Sequence, residues 1–137
     1  MTVGRYFQIS VSFALAMLAP AAFATPCDGI DRGLTPERSA ALAATISRQL
    51  NSDKTVVLQS YTSDSWSIIY VGPQAADRVF LFFSGDPLTH HYVTMWSGAA
   101  RRTEEQSIHA WVMRNAPGIP VGLAKCFAWH VTNDRDM

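Results

Sequence analysis

The run Val79-Phe-Leu-Phe-Phe83 constrains this chain more than any other stretch. β-branched and aromatic residues in unbroken succession predict a strand. Side chains alternate across a strand, so Val79, Leu81 and Phe83 face one side and Phe80 and Phe82 the other. Neither side is polar, which places the strand inside a sheet. Ser84-Gly-Asp-Pro87 is a cluster of turn formers, and alternation resumes through Trp96, so the stretch from Arg78 to Trp96 predicts a hairpin.

The flanking segments supply its neighbours. Thr55–Tyr61 and Trp66–Val71 read as strands joined by a turn at 62–65, and Gly72-Pro73 breaks the chain before the central run. Four antiparallel strands in a meander result. Thr35-Pro36-Glu37 is a helix start, with threonine as cap, proline at the first helical position and a carboxylate facing the positive end of the helix. Leu42, Ile46 and Leu50 then form a narrow apolar stripe. A second helix is expected from Thr103, where Thr103-Glu-Glu-Gln106 matches a capping box, with Ile108, Trp111 and Val112 as its buried stripe and Ala116 to Pro120 as its end. The stretch Gly122–Thr132 fits a fifth strand or a short helix, and the aromatic and β-branched residues at its end favour the strand. The expected class is therefore α+β, an antiparallel meander of four to five strands packed against two helices and stapled by one disulfide.

The N-terminus reads as an address. Arg5 precedes an apolar core from Ile9 to Leu18, Pro20 breaks it, and Ala22-Phe-Ala24 has the form of a cleavage site, so residues 1–24 are expected to be a signal peptide. The apolar run is shorter than the roughly 20 residues a membrane span needs. Residues 25–137 then form a single small domain, exported most simply to a periplasm. Cys27 and Cys126 are the only cysteines, and in an oxidising compartment they are expected to pair. With Arg5 removed, ten basic residues face eleven acidic ones. Nucleic acid and anionic lipid both demand a concentrated basic face, so neither is expected as a partner. Arg101-Arg102 is the only basic doublet, and it reads as a solvated turn.

Catalytic and metal signals are thin. His90 and His91 are adjacent, and on a regular strand they point to opposite faces, so they cannot grip one ion. No zinc or other metal spacing is present, and no cofactor motif. Ser84, Asp86 and His90 could be drawn as a hydrolase triad, but the G-x-S-x-G elbow is missing. His109 sits one turn after Glu105 and is expected to pair with it.

What stands out is a surplus of aromatic residues. Trp66, Ile68 and Tyr70 share one strand face, and Tyr92, Thr94 and Trp96 share a face of their own strand. If both helices cover the same side of the sheet, an aromatic face is left open as an interaction surface. The expectation is a small exported binding module without catalytic residues, of the inhibitor or immunity type, that blocks a partner protein such as a cell-wall-degrading enzyme. Its contact residues are expected to be Asp86 at the turn with His90, Tyr92 and Trp96 on one face behind it. A small periplasmic hydrolase using the Asp86/His90 region and a homodimeric assembly factor are the alternatives.

Overall fold

The computed structural model describes residues 17–19 and 24–134. The expected signal peptide lies almost entirely outside them. Helix α1 (Pro36–Gln49) is followed by β1 (Thr55–Ser63), β2 (Trp66–Pro73), β3 (Val79–Ser84) and β4 (Thr94–Trp96). A single 3-10 turn at Arg102–Glu104 leads into α2 (Glu105–Asn115), which is followed by α3 (Val121–Asn133). The strands form one antiparallel sheet in the order β1-β2-β3-β4.

β3 sits inside this sheet with both sides buried. Val79, Leu81 and Phe83 pack with Ile69 and Val71 against Leu42 and Ile46 of α1. Phe80 and Phe82 pack on the opposite side with Ile68 and Tyr70 against Ile108, Val112, Leu123 and Phe127 of α2 and α3. The helices thus cover both faces, and the open aromatic face expected if they shared one side does not exist: Trp66, Ile68 and Tyr70 are core. Each such side chain stabilises the fold by about 1.5–3 kcal/mol relative to exposure.

A bulge between Val57 and Gln59 shifts the register of β1 against β2. Side-chain period is two, so one extra residue reverses the face of everything beyond it. Val57 therefore points to α1 while Tyr61, four positions on, points to α2 and α3.

The start of α1 follows the sequence closely, with the Arg38 backbone N–H donating to Thr35 Oγ1 at 3.1 Å. The start of α2 does not. Glu104, not Thr103, makes the cap, its carboxylate accepting from the Arg101 N–H at 2.6 Å, so the helix enters through the 3-10 turn. Gly122–Thr132 is helical, against the strand its aromatic residues favoured. Leu123, Ala124, Phe127, Ala128 and Val131 recur at helical spacing and all are buried; a continuous apolar stripe outweighs a propensity worth less than about 1 kcal/mol per residue.

Cys27 and Cys126 are joined, with Cα atoms 4.4 Å apart. The bridge fastens the segment before α1 to the middle of α3. An isolated antiparallel pairing of Asp31 with Thr62 holds the same segment to the edge of β1.

Candidate functional site

The connection from β3 to β4 is longer than a hairpin turn. Residues 85–93 form a loop, and regular pairing resumes only at Thr94, where the register is Phe82 with Thr94, Leu81 with Met95 and Phe80 with Trp96. Asp86 organises the first half. Its carbonyl accepts from the N–H groups of Thr89 and His90 at 3.0 and 2.9 Å, making a single helical turn. Its Oδ1 accepts from the Leu88 N–H at 3.0 Å and from Arg38 Nη2 of α1 at 3.0 Å. The Leu88 N–H first, and the Arg38 guanidinium next, hold the Asp86 carboxyl below the usual carboxylate range.

Gln49, at the other end of α1, fastens the second half. Its side-chain amide donates to the His90 carbonyl at 3.0 Å and accepts from the Tyr92 N–H at 3.2 Å. The loop is thereby tied at both ends of the helix it runs beside. Gly85 has φ +97°, and a Cβ there would lie 2.9 Å from the His90 ring. Glycine is required twice over, by the left-handed backbone and by the imidazole covering it.

The four expected contact residues do not form one face. Asp86 and His90 are exposed in the loop. Tyr92 is half-buried on the α1 side, its ring 6.4 Å from that of Phe83. Trp96 is half-buried on the opposite side, against Phe80 and Phe127 at 6.1 and 5.5 Å. Continuous alternation from the turn to Trp96 would have aligned His90, Tyr92 and Trp96, but the loop breaks the phase before Thr94. His90 and His91 are likewise loop residues, so their opposite orientation cannot be argued from a strand.

The triad drawn from Ser84, Asp86 and His90 is not assembled. His90 Nδ1 lies 3.1 Å from the Asp86 carbonyl and 2.9 Å from Thr89 Oγ1, while the Asp86 carboxylate is turned to Leu88 and Arg38. Among the described residues no group of three His, Cys, Asp or Glu side chains could hold a metal ion. No helix among them is long and apolar enough to cross a membrane.

Two clefts flank the helices. One, of about 740 Å³, lies where the α1–β1 loop meets the β2–β3 turn and the end of β4; Leu50, Val79 and Met95 supply its apolar lining and Asp53 and Asp77 its charge. The other, of about 420 Å³, lies between the start of α2 and α3 and includes Arg102, Glu105, His109 and Lys125. The expected pairing of His109 with Glu105 is absent. Glu105 accepts from Asn133 Nδ2 at 3.3 Å, and His109 Nε2 is buried without a hydrogen-bond partner among the described residues.

Sequence reasoning found the loop but not the first cleft. Asp53 and Asp77 each sit in an ordinary turn, and nothing local to either signals that strand order brings the two turns to one end of the sheet. Comparison with protein-family models, curated proteins and solved structures finds no match to this chain.

Proposed function

We propose that the protein is a small exported binding module of the inhibitor or immunity type, which docks on a partner protein in the periplasm through the Ser84–His91 loop. One observation carries this: the loop presents Ser84, Asp86, Thr89, His90 and His91 to solvent, yet its backbone is fixed by hydrogen bonds that Asp86 accepts, by those to Gln49 and by the Arg38 ion pair. A loop already held in its bound shape avoids the ordering cost that otherwise subtracts from affinity. The disulfide is compatible with export, since such bridges persist in oxidising compartments. Both sheet faces are occupied by helices, which leaves loops and the sheet edge for recognition.

Co-purification tests the proposal. The tagged full chain, expressed with its own N-terminus and recovered from periplasm, is expected to bring down one protein in stoichiometric amount. A His90→Ala, His91→Ala variant is expected to lose that partner without losing thermal stability. Recovery of the chain alone, or with itself as the only companion, would overturn the proposal, the second result favouring the homodimer.

A further inference from the structure

The larger cleft has two carboxylates and no cation in its lining. Asp53 and Asp77 are exposed, and neither carboxylate has a hydrogen bond or ion pair among the described residues. Lys54 and Arg78, which directly follow the two aspartates in sequence, are exposed, and neither is part of that lining. The cleft opens on the α1 side, where Val79 and Leu50 belong to the core beneath that helix.

Its lining is also apolar. Leu50 is half-buried, and Met95 is 41% exposed. An occupant that satisfies both features has a long hydrocarbon stem and a positive head, which among protein side chains means lysine or arginine. The volume of about 740 Å³ is larger than one such side chain and leaves room for the backbone that bears it.

The cleft continues the docking loop. Gln49 holds His90 and Tyr92, and the next residue in the chain, Leu50, lines the cleft. Met95 and Ser97, just beyond the loop, line it too. A protein laid along residues 84–92 therefore reaches the cleft without leaving the surface.

We infer that this cleft receives a lysine or arginine side chain of the partner protein, its stem on Leu50, Val79 and Met95 and its charge against Asp53 and Asp77. The inference rests on the proposal that the partner is a protein docked on the loop, and it names the chemistry that partner must present.

The test uses the disulfide-bonded mature chain and two probes, N-acetyl-lysinamide and N-acetyl-norleucinamide, which share a stem and differ in charge. Titration of the ¹⁵N-labelled protein with the lysine probe is expected to give saturable shifts confined to residues 50–53, 75–79 and 95–97, with affinity roughly millimolar for so small a ligand. Asp53→Asn with Asp77→Asn is expected to weaken it at least about fivefold. Salt at about 1 M, where the screening length falls to roughly 3 Å, should weaken it as well. The single variants repeat the measurement if the double variant is not folded. An equal response to norleucinamide, an affinity the asparagines leave unchanged, or no response at all overturns the cation site. Failure here is distinct from failure of the docking proposal: a partner that co-purifies equally with the double asparagine variant leaves the loop standing and removes the cleft. Absence of any partner removes the docking proposal whatever the titration gives.

Discussion

Asp86→Ala is expected to loosen the docking loop by an amount that the geometry sets. The substitution removes an acceptor for the Leu88 N–H, a cap-like bond worth about 1 kcal/mol. It also removes the pair with Arg38, whose side chains are 40% and 50% exposed, so solvent screening limits that contribution to about 0.2–1 kcal/mol. Together they amount to about 1–2 kcal/mol, or a fall in Tm of roughly 5–10 °C for a domain of this size. Asp86→Asn keeps an oxygen for Leu88 and loses only the charge of an exposed pair, so it should cost about 0.5 kcal/mol. Arg38→Ala in the Asp86→Ala background should cost less than it does alone. The pH dependence has a definite sign. A carboxyl held below its ordinary value adds stability that is present above the unfolded pKa, near about 4, and is lost as pH falls through the lower folded value. Urea denaturation at neutral pH and at about pH 3 measures the difference between wild type and Asp86→Asn, which should shrink in acid. A difference that grows in acid, or an Asp86→Ala variant as stable as wild type, refutes the assignment of Asp86 as the tie. The asparagine also separates roles, because it leaves the loop fastened: partner affinity unchanged in Asp86→Asn would remove the charge from the contact surface.

Replacing both Cys27 and Cys126 by alanine should cost up to about 4–5 kcal/mol by loop-closure entropy over a separation of 99 residues, read as a Tm lowered by roughly 15–20 °C; a shift below about 3 °C would mean the unfolded chain is already constrained. Trp96→Ala should cost about 2–3 kcal/mol in denaturant titration, less than a fully buried tryptophan, because the ring against Phe80 and Phe127 is only half-buried; a stability indistinguishable from wild type would mean that this packing contributes nothing. Gly85→Ala should destabilise by at least about 1 kcal/mol through its positive φ, and His90→Ala added to it should restore the portion due to the clash. Should the second substitution make matters worse, the imidazole is not what the new methyl meets.

Strands were legible where their residues left one choice. Val79–Phe83 is apolar on both sides, and no arrangement but a covered internal strand accommodates it. The cap at Thr35 and the Cys27–Cys126 pairing were equally direct, since each rests on a local donor or on there being a single available partner. What escaped were features decided by tertiary context. The strand favoured at Gly122–Thr132 rested on Phe127, Trp129 and Val131, yet the stripe from Leu123 to Val131 packs on the sheet and selects the helix. The alignment of His90, Tyr92 and Trp96 assumed an uninterrupted strand. The turn made by Asp86 consumes several residues and places Tyr92 and Trp96 on opposite sides of the sheet. The cleft at Asp53 and Asp77 joins turns 24 positions apart in sequence, which no local pattern encodes.

The position of the bridge also fixes an order of events in the life of the chain. Cys27 is made first and must wait for Cys126, 99 residues later. At about 5–20 residues per second, that interval is roughly 5–20 s. An oxidant that reaches Cys27 in that interval can join it only to a thiol of another molecule. With two cysteines in this sequence, the one intramolecular pairing they allow is the native one. The native bridge therefore follows the synthesis of α3, whose middle carries Cys126.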